Sequence, residues 1–494
     1  MLDLRGICIM SEKVLNISVV FIVCLSLIAC AVNPVTGKKE LMLVSEQDEL
    51  KMGSDLYPNA MWGDMGGGGE YRDEQLKKYL KDIVLKIHEA SHRPNLPLDF
   101  AVQNSSVPNA WAIPGHVVIT RGLLSAFEDD AQFAFVLGHE MGHVSAKHSA
   151  RQMTSGMLMQ VGLSGLGVAL GGRAYSDLAL NVGAIGGQLL MLKYSREHEL
   201  EADRLGIEYM SRLGYDPKHA ISAHQSLEKV ADEFSRSLGK GSHEKGVFDE
   251  LLATHPRMSV RIDEIRSMTG DADRYGMGRD RTSREAYQSA VSDIRRTNKI
   301  YLDHYDPAVR SLQKNKLDEA DSQLSKAIAM ESNQAPFHAL KGFIFLKKKE
   351  HAEAEKHFNA ALKIDDKYEP ALRGKGTVEY FRGGYEESVR YLKSSIALFP
   401  QDISAHHFLG MSYYKMRMYR QAVPHLRASA QAQPKHPEIH GVLGICYEGT
   451  NNINAAYNEY AMQLKVAPDN ELGRHAAARI SALRFLMEAP RIIR

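Results

Sequence analysis

From residue 308 onward the chain repeats on a strict 34-residue period. A small residue recurs at Ala308, Gly342, Gly376, Gly410 and Gly444, and a second small series follows twelve positions later at Ala320, Ala354, Ser388, Ala422 and Ala456. Large apolar residues hold a third register at Leu324, Phe358, Leu392, Leu426 and Tyr460, and Pro400, Pro434 and Pro468 close the later units, where a helix must stop. Small residues in two registers let paired helices approach closely. A unit of this length cannot bury its apolar face alone, so neighbours must stack, and about five of them make a curved helical solenoid with a concave surface suited to peptides or proteins.

This grammar resembles the tetratricopeptide repeat, over residues 301–480, with 481–494 left as a C-terminal tail. The chain of 494 residues is too long for one core. Its 44% hydrophobic and 24% charged residues are those of ordinary globular protein. Lys and Arg number 61 against 60 Asp and Glu, which removes the basic field that nucleic acid would require.

The amino terminus carries an apolar run, Val14 to Ala29, preceded by Lys13 and followed by Cys30. It reads as a cleaved export signal over 1–29, too short to span comfortably, and its end resembles a bacterial lipobox in which Cys30 becomes the lipidated first residue. A non-lipidated signal or short anchor is the alternative, and either Met1 or Met10 can be the start. Ala31 lacks the Asp that marks inner-membrane retention, so the expected place is the periplasmic face of an outer membrane. Cleavage removes Cys8 and Cys24, leaving no disulfide framework, and Cys446 sits in an apolar stretch as a buried small hydrophobe.

Residues 30–60 read as a tether, 61–275 as a catalytic domain and 276–300 as a connecting helix or linker. Leu76, Tyr79, Leu80, Ile83, Val84 and Ile87 make an amphipathic stripe that packs on the domain core. Met153 to Leu192 is rich in Gly, Leu and Met, and Arg173 and Asp177 interrupt it, so a helical lid, buried or touching a bilayer, is expected rather than true spans.

Within the domain, Phe133 to His143 places an HExxH motif on an apolar helix. Residues four apart share a helical face, so His139 and His143 can present imidazole nitrogens to one Zn²⁺ at about 2.0 to 2.1 Å, with Glu140 beside the metal water. The longer HExxHxxGxxH pattern is not met: Ala146 and Ser149 stand at its Gly and last His, and His148 is one residue out of register. The third ligand is then an acidic residue on a second helix, which Glu199 supplies. Asp203, one turn further on, can accept a hydrogen bond from a ligand histidine and fix its tautomer. Glu197 and Glu201 read as a solvated face.

HEMGH followed by SR-x-x-E-x-x-A-D resembles the gluzincin peptidases related to HtpX and the CAAX prenyl proteases. With an export signal ahead and repeats behind, residues 33 to 480 are similar to bacterial β-barrel assembly-enhancing proteases. The resemblance implies one Zn²⁺ held by His139, His143 and Glu199, with Glu140 as general base. It implies that Asn109, Ala110, Trp111, Ala112 and Ile113 form an edge strand on which an extended substrate lies, although His116 stands where many relatives carry a second Gly. It also implies that His255, in Thr254-His255-Pro256, stabilises the oxyanion or caps the metal in a closed state; a plain loop histidine is the alternative.

The expected fold is mainly α: an α+β zincin-like metalloprotease domain, an active-site helix plus a small sheet, followed by an all-α repeat solenoid. The expected activity is zinc-dependent endoproteolysis of misassembled or unfolded outer-membrane proteins, with docking of clients or of the outer-membrane β-barrel assembly machinery through the repeats. The alternative is a repeat-based chaperone or assembly factor with a latent protease site.

Overall fold

The computed structural model describes residues 30–64, 68–169, 194–238, 259–270 and 280–488. It divides into two compact units, ending at Asn298 and beginning at Lys299.

The first unit opens with a hairpin, β1 (Cys30–Val32) against β2 (Lys39–Leu41), antiparallel with Cys30 opposite Leu41. Asn33 makes the turn: its Oδ1 accepts from the Val35 and Thr36 amides at 2.9 and 3.2 Å. Helix α1 (Glu46–Asn59) follows, started by a Ser45/Asp48 capping box. Residues 30–60, expected as a tether, are thus packed structure. Met42, Val44 and Leu56 join Trp111, Ile113 and Val118 in a core of their own. Polar composition hid this, because the buried carboxylate of α1, Glu49, is matched only by distant cations: Arg93 at 2.9 Å and Lys147 at 3.0 Å.

Helix α2 (Glu74–Ala90), capped by Asp73, buries the stripe Leu76, Leu80, Ile83, Val84 and Ile87. It packs on a three-stranded sheet ordered β3 (Asp99–Gln103), β5 (His116–Thr120), β4 (Ala110–Ile113). β3 runs parallel and β4 antiparallel to β5, which makes β4 an outer strand. The β4–β5 turn rests on Gly115, at φ +95°, and His116 begins β5 with its ring stacked 4.0 Å from Tyr57.

Two helices then meet. α4 (Asp130–Ser145), counted after a single turn α3 (Arg121–Leu124), is started by Asp129 and buried along almost all its length. α5 (His148–Ala169) continues from it, and α6 (Arg196–Arg212) lies across α4. α4 and α6 can touch because each carries small residues four apart. A Cβ at Gly142 would stand 3.2 Å from the Ala202 Cα, and one at Gly206 would stand 3.0 Å from the His139 nitrogen and the Phe135 oxygen. α7 (His219–Ser237) and α8 (Ser259–Thr269) cover this pair.

Residues 276–300, expected as a connecting helix or linker, are helical from Arg284 as α9 (Arg284–Ala290) and α10 (Ser292–Ile300). Tyr287, Val291 and Ile294 are buried in the main core of the first unit, and the Tyr287 hydroxyl donates to the Leu124 carbonyl at 2.8 Å. The remainder of the expected lid beyond Ala169 lies outside the described residues, as do the signal segment and His255. Among the described residues no helix is long and apolar enough to cross a membrane.

The second unit is five helix pairs, from α11 (Asp306–Gln313) and α12 (Leu317–Met330) to the pair Ile439–Gly449 and Ile453–Val466, followed by a last helix, Glu471–Glu488. That helix takes in much of the stretch expected as a tail. Gly342, Gly376, Gly410 and Gly444 each face the large residue of their own register, Phe358, Leu392, Leu426 and Tyr460, with no room for a Cβ. A second periodicity appears in the backbone: Asn315, Lys349, Gly383, Arg417 and Asn451, again 34 apart, all take positive φ in the turn between paired helices. Cys446 is free and buried, and burial pushes its thiol up to about 12.

Candidate metal centre

α4 and α6 bring His139, His143 and Glu199 together in the interior of the first unit. The two Nε2 atoms lie 3.1 Å apart, and Glu199 oxygens stand 3.7 Å from His139 Nε2 and 3.5 Å from His143 Nε2. An ion bonded tetrahedrally at about 2.0 to 2.1 Å has ligand atoms roughly 3.3 Å from one another, so this donor triangle fits a small divalent metal. Among the described residues no other group of three or more such donors converges. Two imidazoles with one carboxylate, leaving a fourth position, are the donor set of a catalytic rather than a structural site.

The tautomers agree with that fit. Asp203 Oδ1 lies 2.8 Å from His139 Nδ1; a carboxylate only accepts, so the proton sits on Nδ1 and the Nε2 lone pair faces the site. Burial works against the charge on Asp203, yet the Arg261 guanidinium, the hydrogen bond from His139 and the nearby His224 ring hold its carboxyl well below the usual range. Glu140 follows His139 on α4 and is buried beside the same group, close enough that its charge bears on Arg261 and on Tyr194.

Several residues around the metal group carried no recognisable pattern. Arg261 of α8 reaches Glu199 at 2.8 Å and Asp203 at 2.6 and 2.8 Å, a buried cation among carboxylates. Tyr194 stacks on the His143 ring at 3.9 Å, with its hydroxyl 2.9 Å from Ser149 Oγ. His224 of α7 lies 3.6 Å from Asp203. His148, out of register as a ligand, turns back so that its Nδ1 lies 2.9 Å from His143 Nδ1, while its Nε2 meets Glu201 at 3.0 Å. Burial pushes the His148 imidazole below its ordinary value. Glu201, expected on a solvated face, is instead half-buried between His148 and Arg151, because α5 folds over that side of α6; Glu197 is exposed.

Of the other candidate positions, Asn109 to Ile113 form the outer strand and its approach. Trp111 points inward, its Nε1 donating to Gln103 at 3.3 Å, and α4 packs against β4. Asn109 is buried, its backbone paired with Thr120, and its Nδ2 finds no acceptor among the described residues. Cys30 begins β1.

This arrangement is that of an HExxH-plus-glutamate metallopeptidase domain joined to a helical repeat array. Residues 74–269 match the model of peptidase family M48, and residues 308–369 and 413–480 match tetratricopeptide repeat models, so the chain carries an M48 domain followed by tetratricopeptide repeats. It is similar to the mitochondrial metalloendopeptidase OMA1 of Arabidopsis thaliana, 29% identical over 43% of this chain and 40% of that one. It is also similar to the beta-barrel assembly-enhancing protease of Escherichia coli (strain K12), 25% identical over 61% of this chain and 64% of that one. The chain thus spans between two fifths and two thirds of the length of these relatives. Among solved structures, YrrB, a tetratricopeptide repeat protein with an unusual peptide-binding site, is 22% identical over 39% of this chain with a TM-score of 0.31.

Proposed function

We propose that this protein is a zinc-dependent endopeptidase of the cell envelope that cleaves unfolded or misassembled proteins. The observation that carries this reading is the convergence of His139, His143 and Glu199 with the Glu140 carboxylate buried beside them. Bound there, zinc supplies Lewis acidity to a water and to the scissile carbonyl. Glu140 takes a proton from the attacking water as its oxygen bonds to the carbonyl carbon, and returns a proton to the amine as the C–N bond breaks. Asp203 keeps His139 in the tautomer that turns the Nε2 lone pair toward the site. The outer edge of β4, with Asn109 at its approach, pairs with an extended substrate backbone.

The substrates are outer-membrane proteins that stall in assembly, docked with their assembly machinery through the repeats. The chain is exported, lipidated at Cys30 and held at the periplasmic face of the outer membrane. His255 either stabilises the oxyanion or keeps the protease latent, and in the second case His255→Ala raises basal proteolysis.

The test is degradation of an unfolded β-barrel protein by the purified chain, beside Glu140→Gln and a chelated sample with zinc added back. Cutting by the zinc-loaded wild type alone supports the reading. Stoichiometric zinc with no cutting, including by His255→Ala, would sink it in favour of a repeat-based assembly factor.

A further inference from the structure

The two histidine ligands are supported in different ways. His139 is held directly by a carboxylate, whereas the Nδ1 of His143 meets a second imidazole. α4 ends at Ser145, and Lys147, at φ +55°, reverses the chain within one residue so that His148, fully buried at the start of α5, returns to the ring it follows by five positions. The proton positions then follow from the network. For His143 Nε2 to face a metal its proton must be on Nδ1, so His148 Nδ1 must accept. His148 then carries its proton on Nε2 and donates it to Glu201 Oε2. Each atom in this chain has one role it can play, and no donor faces a donor.

The chain is anchored at its far end and on its flank. Glu201 is also held by Arg151 Nη1 at 3.4 Å, and Arg151 Nε reaches Glu40 of β2 at 3.2 Å. The His198 ring stacks on His148 at 4.2 Å, which fixes its plane.

We propose that His148 and Glu201 are positioning residues for the metal ligand His143, doing through a two-imidazole chain what Asp203 does directly for His139. The proposal rests on the reading of His143 as a metal ligand. Partners of this kind orient the ligand ring and raise its basicity, and losing one weakens metal binding by about 10- to 100-fold.

The experiment is zinc competition against a chromophoric chelator with the full chain, together with the absorption spectrum of the cobalt-substituted protein. Variants are His148→Leu, His148→Asn, Glu201→Leu and Glu201→Gln, and the metal-free denaturation midpoint of each is recorded. His148→Leu and Glu201→Leu are expected to weaken zinc binding about 10- to 100-fold and to alter the cobalt spectrum. His148→Asn, whose amide oxygen can still accept from His143 Nδ1, recovers most of the affinity, and Glu201→Gln, which keeps an acceptor, loses less than Glu201→Leu. A merely structural role predicts loss in proportion to the fall in midpoint and no recovery with Asn, and that result overturns the proposal. Wild-type affinity and spectrum in His148→Leu overturn it as well. If His148→Leu does not fold, the Glu201 pair decides alone: equal, wild-type affinities in both overturn the proposal. Failure of the wild type itself to bind one zinc is a different result, which removes the metal-site reading.

Discussion

Gly206→Ala should damage the metal centre without replacing a ligand. A Cβ at residue 206 would lie 3.0 Å from the His139 nitrogen and the Phe135 oxygen, and 3.3 Å from the His139 Cα. Ordinary van der Waals contact begins at about 3.4 Å, so α6 must move off α4 by a few tenths of an ångström. Those neighbours are backbone atoms of the ligand-bearing helix and cannot swing aside. Metal–ligand distances tolerate about 0.2 Å, so carrying Glu199 away by more than that should cost on the order of tenfold in zinc affinity. Forced overpacking costs about 1 to 3 kcal/mol, offset by about 0.5 to 1 kcal/mol for replacing a helical glycine, which leaves a metal-free loss of about 0 to 2.5 kcal/mol. Gly156 on α5 is the control, because a Cβ there meets nothing within 4 Å, and Gly156→Ala should stabilise by about 0.5 to 1 kcal/mol. Denaturant titration of the metal-free proteins and zinc competition read both quantities. A Gly206→Ala protein as stable as Gly156→Ala, with wild-type zinc affinity, would refute the idea that the α4–α6 approach sets the ligand geometry.

Arg261→Met should leave Glu199 and Asp203 buried without their cation, at a cost of about 3 to 5 kcal/mol in the metal-free protein. Saturating zinc should return a large part of it by mass action, read as a wider gap between apo and holo melting points than the wild type shows. In the repeats, Lys349 and Arg417 take the left-handed turn conformation, at φ 63° and 58°, that Gly383 occupies one register apart. Lys349→Gly and Arg417→Gly should each stabilise by up to about 1 kcal/mol and Gly383→Ala should destabilise by about 1 kcal/mol in urea titrations. Burial first, with neighbouring cations and histidines, lowers His357, His407 and His425 from 6.5 to about 4. The unfolded chain therefore binds more protons than the folded one between those values, and the repeats' stability, full above about pH 6.5, should fall as pH drops toward 4. Replacing all three with Gln should flatten that part of the profile; an unchanged slope would count against this origin.

What could be read from the sequence follows how local each determinant is. His139 and His143 are four residues apart on one helix, and the repeat registers recur five times, so each carries its own periodic signal. Glu199 and Asp203 share a helix face in the same way. Arg261 has no such signature: its partners lie 58 and 62 positions earlier, and only the packing of α8 on α6 reveals them. His148 was hidden by one backbone conformation, the positive φ of Lys147, which a lysine does not advertise. The same holds for residues 30–60, where Glu49 reads as solvated until Arg93 and Lys147 arrive from elsewhere in the chain.

The metal ligands and the contact residues of α4 and α6 obey a common spacing. On α4 each ligand histidine directly follows a contact glycine, Gly138 before His139 and Gly142 before His143; on α6 each acidic residue lies three positions before a small one, Glu199 before Ala202 and Asp203 before Gly206. With about 100° of turn per residue, these offsets place the ligand rows roughly 100° and 60° from the rows of closest approach. The helix backbones therefore touch along one line while the ligands converge at its rim. Ligand spacing is then a property of a packed helix pair and not of the loops between them, even though residues 170–193 of that connection lie outside the described structure. A site on rigid elements needs little reorganisation to accept its ion. The metal-free chain should accordingly keep α4 and α6 folded, with zinc adding stability to a fold that already exists.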